Sequence, residues 1–378
     1  MLDTTRMTAL SKPICRASCL PNLSSTPDIH LADAQKRQKD ALAAHNQTAQ
    51  QTWEKGPEGL LLEAHKPEAT LAVIDTFGVS SEQNVHHGEI TAALALQASG
   101  RNESNLLRVD NGGVKFPTRK SDRLDEYIEN RYTGFTHATT LALQEVHQKH
   151  PKINTISLSQ GISGPRLTAD LARRALKDPD YALKLAKDLG HPGPVDWNQP
   201  ASQKLIAERV QSTLEKSPKV ASELTALRQE LADHPKVAFF SSAGNDGETQ
   251  ALLRQADFRF DPAWDGTPQS TSPLTQSVAA ANLQGLGATP TLYSQHTPNS
   301  IAFDGKAKVT VDGRPLCEVS TDRPAPFLPW CAPHQGTSFS TPRAAGLYNA
   351  DPVAYEKLRL QALPSVEGEN TLGVGLLH

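Results

Sequence analysis

A serine near the carboxyl end of the chain stands in a setting that could make it a nucleophile. Ser338 belongs to residues 336–342, with the sequence GTSFSTP. Gly336 permits a tight bend, and Pro342 favours an early helical turn where its missing N–H is no loss. The run therefore predicts a turn that delivers Ser338 onto the first turn of a helix, beside free N–H groups that would stabilise an oxyanion. A capped, buried helix start is the alternative, because Ser and Thr are common caps.

Three upstream segments supply the other groups that an activated serine needs. Residues 70–76 form a short apolar run, rich in β-branched side chains, in which the carboxylate of Asp75 follows the apolar stretch. Residues 86–96 place an imidazole at a predicted helix start, and residues 237–247 predict a buried strand whose closing turn presents the amide of Asn245. An Asp orients a His, the His takes the serine proton, and the amide donates to the oxyanion. Each segment alone has an ordinary structural explanation, but their joint presence indicates acyl transfer.

The motifs resemble those of the subtilases, the subtilisin-like serine protease family, whose triad runs Asp, His, Ser along the chain. The family's serine signature is Gly-Thr-Ser followed by a small residue and a proline, and the match extends through Gly346. The resemblance implies that Ser338 is the nucleophile and His87 the general base. It also implies that Asp75 is the triad acid and Asn245 the oxyanion donor.

Two motifs depart from the family pattern. Phe77 stands between Thr76 and the glycine expected directly after it, and Glu89 replaces the Thr or Ser that usually follows the His-Gly pair. Only twelve positions separate the Asp from the His, although twelve extended residues span about 40 Å, which is far more than a triad requires. The adjacent His86 remains an alternative base. Glu89 is expected to favour the helix start electrostatically, or to lie at the rim of the active site and narrow the accepted substrates.

A fourth segment, residues 152–161, resembles the subtilase strand that borders the substrate cleft, where an extended peptide adds by β-augmentation. An ordinary buried strand is the alternative explanation. The resemblance implies two walls of the substrate site, formed by Ser157, Leu158 and Ser159 on the non-primed side and by Ala243 and Gly244 opposite.

Strand and helix patterns alternate through the chain. Predicted strands cover residues 70–75, 105–110, 153–159 and 236–241, and a helix covers about 136–149. This alternation predicts an α/β fold with a three-layer, mostly parallel sheet and helices on both faces, as in the subtilisin-like fold. The polar stretch 111–134 is expected to be a surface excursion near the cleft.

The predicted organisation is a leader over residues 1–66, flexible and partly helical over 31–54, followed by a catalytic domain over 67–378. A helical insertion over about 165–218, with helices at 167–177, 180–189 and 201–216, is either a lid over the cleft or a peripheral decoration. A Pro-rich insertion over about 304–334 is expected to form a hairpin and a loop. Whether the leader is an inhibitory propeptide stays open.

Composition agrees with a soluble enzyme, and the resemblance implies a protein or peptide substrate. The 378 residues carry a formal net charge of −3 with both signs interspersed, which indicates neither a nucleic-acid nor a membrane partner, and a monomer is expected. The amino terminus lacks the apolar core of a secretory signal, so the protein is expected in the cytoplasm or exported without a cleavable signal peptide. Cys317 and Cys331 are expected to be free thiols, with a disulfide as the alternative. No cofactor is expected, and no zinc spacing occurs. The resemblance to subtilases leaves a structural calcium ion as an alternative, although no Asp-rich loop has convincing calcium-ligand spacing.

The predicted function is a serine endopeptidase. A second hypothesis is a catalytically impaired scaffold that grips extended peptides along residues 157–161. A third hypothesis is an enzyme that uses the same triad on ester or thioester substrates.

Overall fold

In the part of the chain that the structure describes, ten strands form one mostly parallel sheet. The computed structural model describes residues 28–30, 53–77, 84–114, 123–191, 193–284, 287–295, 300–311, 314–315, 317–318, 334–361 and 375–376. The predictions for Cys331 and for most of the leader lie outside these residues. No helix within the described ranges has the length and apolar character needed to cross a membrane.

The strands alternate with helices in the order expected from the sequence. The strands are β1 (Asp28–His30), β2 (Trp53–Lys55), β3 (Leu61–Glu63), β4 (Leu71–Asp75), β5 (Asn84–Val85), β6 (Leu106–Asp110), β7 (Thr155–Leu158), β8 (Ala238–Ser242), β9 (Thr275–Gln284), β10 (Gly287–Pro290), β11 (Ile301–Asp304), β12 (Lys306–Val311), β13 (Arg314–Pro315), β14 (Cys317–Glu318), β15 (His334–Gln335) and β16 (Gly375–Leu376).

The helices are also numbered in chain order. They are α1 (His87–Ser99), α2 (Leu124–Lys149), α3 (Gly164–Lys177), α4 (Pro179–Asp188), α5 (Pro200–Lys216), α6 (Pro218–Asp233), α7 (Gly247–Gln255), α8 (Pro262–Asp265), α9 (Thr337–Ala350) and α10 (Pro352–Gln361).

The main sheet has the order β2-β3-β6-β4-β7-β8-β9-β11-β16, with β10 paired to β9. The strands from β6 to β16 in this order run parallel, while β2, β3 and β10 are antiparallel to their neighbours. The carboxyl ends of β4, β7 and β8 therefore meet at one edge, which is where functional groups gather in such sheets.

Alternate side chains of each strand enter two separate cores, because successive residues point to opposite faces. Leu71 and Val73 of β4 pack against small side chains of α1 and against α9. Ala72 and Ile74 pack on the other face with α2 and α6. The predicted three-layer α/β architecture is confirmed.

Two parts of the fold differ from the sequence prediction. Helix α2 begins at Leu124, so much of the polar stretch 111–134 is helical; its buried positions, such as Ile128 and Tyr132, lie among charged ones that mask the pattern. Strands β2 and β3 pair into the sheet through β6, so the sheet begins before residue 66. The end of the segment predicted as helical, over 31–54, lies in β2.

The helical insertion packs against the main domain through a shared core. Its helices α3, α4 and α5 bury Leu171, Leu185 and Ile206 in one cluster with Ile128 and Tyr132 of α2. Because this cluster is shared with the main domain, the insertion is an integral part of the core, and only the start of α3 reaches the cleft. Of the second insertion, β12 and β13 form the expected hairpin.

Candidate active site

Asp75 lies at the carboxyl end of β4, fully buried, and its carboxylate accepts hydrogen bonds from four donors. They are the Thr76 N–H at 2.7 Å, Thr91 Oγ1 at 2.9 Å, Gln160 Nε2 at 2.7 Å and His87 Nδ1 at 2.8 Å. A buried carboxylate is costly unless it is hydrogen-bonded, and this set both offsets that cost and fixes the direction of the carboxylate. Because Asp75 accepts a hydrogen bond from His87 Nδ1, the imidazole carries its proton on Nδ1, and the lone pair of Nε2 points away from Asp75.

His87 is the first residue of α1, and its Nε2 lies 2.8 Å from Ser338 Oγ. The imidazole is 21% exposed, so it is accessible from the cleft, and it lies 5.3 Å from the Phe339 ring. The structure thus joins Asp75, His87 and Ser338 in one chain of hydrogen bonds, with a geometry suited to proton transfer from serine to imidazole.

The neighbouring His86 takes a different direction. It precedes α1 with an extended backbone and lies near the buried carboxylate of Asp110, on the strand beside Asp75. Burial raises the pKa of Asp110, while the backbone amides of Gly112 and Phe77 oppose that rise. Both histidines line the cleft, but it is His87 Nε2 that contacts the serine, whereas His86 lies near Asp110.

Close helix packing sets the distance between His87 and Ser338. A Cβ placed on Gly346 of α9 would lie 2.3 Å from the carbonyl oxygen of Ala95 on α1, so the two helices that carry these residues touch through backbone. The lack of a side chain at Gly346 thus lets α9 approach α1 closely. Pro342 lies in the second turn of α9 rather than the first, so its missing N–H removes the bond to the carbonyl of Ser338.

The short link between Asp75 and His87 closes without strain at its described ends. The Gly88 N–H donates to the carbonyl of Thr76 at 2.9 Å, and a Cβ on Gly88 would lie 2.9 Å from the Phe77 ring. Phe77, the residue that breaks the family's Asp motif, is buried and fills the space beneath α1. Gly88 is thus required by the close approach of the Phe77 ring.

Asn245 follows β8 and points its amide toward the turn before Ser338. Its Oδ1 accepts hydrogen bonds from the Thr337 N–H at 2.8 Å and from Thr337 Oγ1 at 3.1 Å. The amide nitrogen Nδ2 therefore points away from Thr337 and can donate to a substrate oxygen. A Cβ on Gly336 would lie 3.0 Å from Ser338 Oγ and 3.1 Å from Asn245 Nδ2. The missing side chain of Gly336 therefore leaves a space between nucleophile and amide of the size that a carbonyl oxygen needs.

The predicted substrate walls need correction. Ser159 and Gly244 line the cleft, but Ser157, Leu158 and Ala243 do not. Ser157 and Leu158 are paired on both sides, by β4 and β8, and are buried, so no edge remains there for a substrate strand. Ala243 is buried against other alanines. The strand ends at Leu158, and the residues that follow it, 159–161, line the cleft.

Charged side chains form the far wall of the cleft. Arg131 of α2 and Arg166 of α3 line it together with Asp246, the residue after Asn245. Arg166 Nη1 lies 3.8 Å from Asp246 Oδ1. Burial nevertheless raises the pKa of Asp246 to about 6, because the arginine compensates only part of the lost hydration.

Glu89 lies away from the cleft, so the expectation that it narrows the substrates at the rim is wrong. Its Oε2 lies 3.3 Å from Nε of Arg108, which also bonds Glu63 and Glu103. Burial raises the pKa of Glu89, and Arg108 opposes the rise. The departure from the family motif therefore belongs to an ion cluster on the outer side of α1.

Sequence reasoning missed three polar partners of the site, Gln160, Thr91 and Thr337. Thr91 lies one helical turn after His87, and that spacing would have placed both side chains on one face. Gln160 follows the end of β7, where side chains of neighbouring parallel strands converge. Among the described residues, the side chains grouped closely enough to hold a metal ion lie elsewhere, near the carboxyl ends of α2 and α6.

Comparisons with known proteins leave the family open. No family model matches the chain, and no curated protein matches it. A search of solved structures finds similarity to Pseudomonas sedolisin, a serine-carboxyl proteinase, complexed with two molecules of pseudo-iodotyrostatin; 77% of each chain is covered at 12% identity with a TM-score of 0.32. Since this likeness is weak, the function is inferred from the site itself.

Proposed function

We propose that this protein is a serine endopeptidase of the subtilisin-like class. The observation that carries the proposal is the continuous hydrogen-bonded chain from the buried Asp75 through His87 to Ser338, with 2.8 Å at each of the two imidazole nitrogens. Adjacent polar side chains are common, but an aspartate, an imidazole and a helix-start serine in series are the arrangement that activates a hydroxyl.

In the proposed mechanism Ser338 Oγ attacks the peptide carbonyl while His87 Nε2 takes its proton. Asp75 holds the imidazole and stabilises the imidazolium that forms. The oxyanion would receive hydrogen bonds from Asn245 Nδ2, which borders the space beside Gly336, and from the Ser338 N–H in the first turn of α9. His87 then returns the proton to the leaving amine, and water releases the acyl group by the same steps in reverse.

The substrate is proposed to be an extended peptide. It would lie along residues 159–161, which line the cleft beyond the end of β7, and pass Gly244 on the opposite wall. Gly244 has a φ of 118°, and a Cβ there would meet the Gln295 side-chain oxygen at 1.7 Å, so only glycine fits this wall. The proposed chemistry calls on no cofactor.

A non-catalytic peptide-binding scaffold is the second candidate. It would follow if the shortened Asp–His segment misaligned the triad, and the observed distances argue against that. An enzyme that uses the same triad on esters or thioesters would share the first steps of the mechanism, and it would differ in failing to cleave peptide bonds.

The test is labelling of the purified full-length protein by a fluorophosphonate probe, compared with the Ser338→Ala and His87→Ala variants. Labelling should be lost in the first and reduced by several orders of magnitude in the second, as for other triads. Ser340→Ala is the matched control, because Ser340 lies on the same helix but donates to the carbonyl of Phe303. His86→Ala should retain labelling.

Hydrolysis of an unfolded protein such as casein, measured in parallel, separates a peptidase from an esterase. A folded protein that is neither labelled nor able to cleave peptides or esters would overturn the proposal in favour of the scaffold. Labelling that persists in Ser338→Ala would assign the nucleophile elsewhere.

A further inference from the structure

A second cluster of reactive side chains lies at the opposite edge of the sheet from Ser338. His147 stands near the end of α2, and Glu230 and His234 stand one turn apart at the end of α6. His147 Nδ1 lies 2.6 Å from Glu230 Oε1, and His234 Nε2 lies 3.3 Å from the same oxygen. The proposed peptidase site makes no use of these residues.

The cluster has the composition and closeness of a metal site. One potential ligand atom from each residue lies within 4.8 Å of the others. The two imidazole rings stack at 3.5 Å between centroids, so one ring would turn out of the stack for both nitrogens to face one ion. His147 Nε2 is buried and has no hydrogen-bond partner among the described residues. Two imidazoles that converge on one carboxylate oxygen are arranged as ligands, because a bound cation would interact favourably with all three groups.

The donor set selects the kind of metal. Two imidazole nitrogens and one carboxylate suit zinc and similar divalent transition metals, whereas calcium and magnesium prefer oxygen ligands. Zinc bonds of about 2.0–2.2 Å in a tetrahedron place ligand atoms roughly 3.3 Å apart. The His234–Glu230 distance already has this value, and the His147–Glu230 contact, at 2.6 Å, would have to open by about 0.7 Å.

Exposure leaves a route for the ion. The side chains of His147 and Glu230 are 6% and 12% exposed, while that of His234 is 35% exposed. The site is thus shielded on the protein side and open at His234, where water could complete the coordination. Because His234 ends its helix, it can adjust its ring without disturbing the core.

We propose that His147, Glu230 and His234 bind a divalent transition metal of the zinc class that cross-links α2 to α6. His147 packs edge-on against Phe239 near the start of β8, whereas Asn245 follows the other end of that strand. The metal therefore stabilises the helical layer behind the sheet and takes no part in acyl transfer. The proposal stands independently of the peptidase function.

The experiment is calorimetric titration of the tag-free, chelator-treated protein with zinc chloride alone, together with thermal unfolding with and without zinc. The protein should bind one equivalent, and saturating zinc should raise its Tm by roughly 2 °C or more. His234→Ala and Glu230→Gln should each weaken binding by about tenfold or more and remove the Tm shift.

His137→Ala is the matched control, since His137 lies on the same helix and also contacts a glutamate of α6, Glu223, at 3.4 Å. It should bind zinc as the unmodified protein does. Far-UV circular dichroism of the His234→Ala variant shows whether it is folded. No stoichiometric zinc binding by the unmodified protein, or equal loss in the His137 and His234 variants, would overturn the proposal.

Discussion

The space beside Gly336 offers a direct test of where the substrate carbonyl binds. The backbone of Gly336 is extended, with a φ of 169°, so alanine adopts it without strain. The new methyl carbon would lie 3.0 Å from Ser338 Oγ and 3.1 Å from Asn245 Nδ2. The distance to Asn245 Nδ2 is one that the developing oxyanion requires from a donor, and the methyl carbon also lies beside the nucleophile, so the methyl group would occupy the place of the oxygen.

The expected cost of Gly336→Ala follows from blocking the oxyanion's hydrogen bond to Asn245 Nδ2. Removing one such donor raises the barrier by about 2.7–4 kcal/mol, so the fluorophosphonate labelling rate and kcat/KM should fall by about 10²–10³-fold. The Tm should change little, because the methyl group enters a space open to the cleft.

Labelling rate constants and thermal unfolding, measured on the same preparations, check this prediction. Gly193→Ala is the matched control, since a Cβ there meets nothing within 4 Å and should leave both quantities unchanged. A folded Gly336→Ala variant that labels at a rate close to that of the unmodified protein would refute the placement of the oxyanion between Ser338 and Asn245.

Three further predictions concern the groups around the site. Gln160→Leu removes a charge-assisted hydrogen bond to the buried Asp75, so denaturant unfolding should show a loss of about 1.5–3 kcal/mol together with slower labelling; unchanged stability would mean that another donor replaces it. Because the pKa of Asp246 is raised in the fold to about 6 from an ordinary 3.8, the native state keeps a proton that the unfolded chain releases, and stability falls as the pH rises between these values. The free energy of unfolding of Asp246→Asn, relative to that of the parent, should therefore be higher at pH 7 than at pH 4 by up to about 3 kcal/mol. The same pH dependence of stability in both proteins would contradict the raised pKa. Arg108→Met leaves three partly buried glutamates without their shared partner and should cost about 3–5 kcal/mol in urea unfolding, whereas a loss near zero would show the cluster to be solvated.

The sequence alone predicted the groups at strand ends and helix starts. Asp75 ends an apolar run and Ser338 follows a glycine turn, and such local signals decide where a strand stops or a helix begins. Since the fold class follows from the same alternation of patterns, the parallel sheet and the order of Asp, His, Asn and Ser could be predicted before any contact was known.

The tertiary structure decided every feature that depends on segments distant along the chain. Which histidine contacts Ser338 follows from the start of α1, and the pairing of β7 on both sides excludes Ser157 and Leu158 from the substrate edge. The His147, Glu230 and His234 cluster has no zinc spacing in the sequence, because α2 and α6 bring together side chains 83 residues apart. Local patterns specify the element that carries a side chain, but only the packing of elements determines which side chains meet.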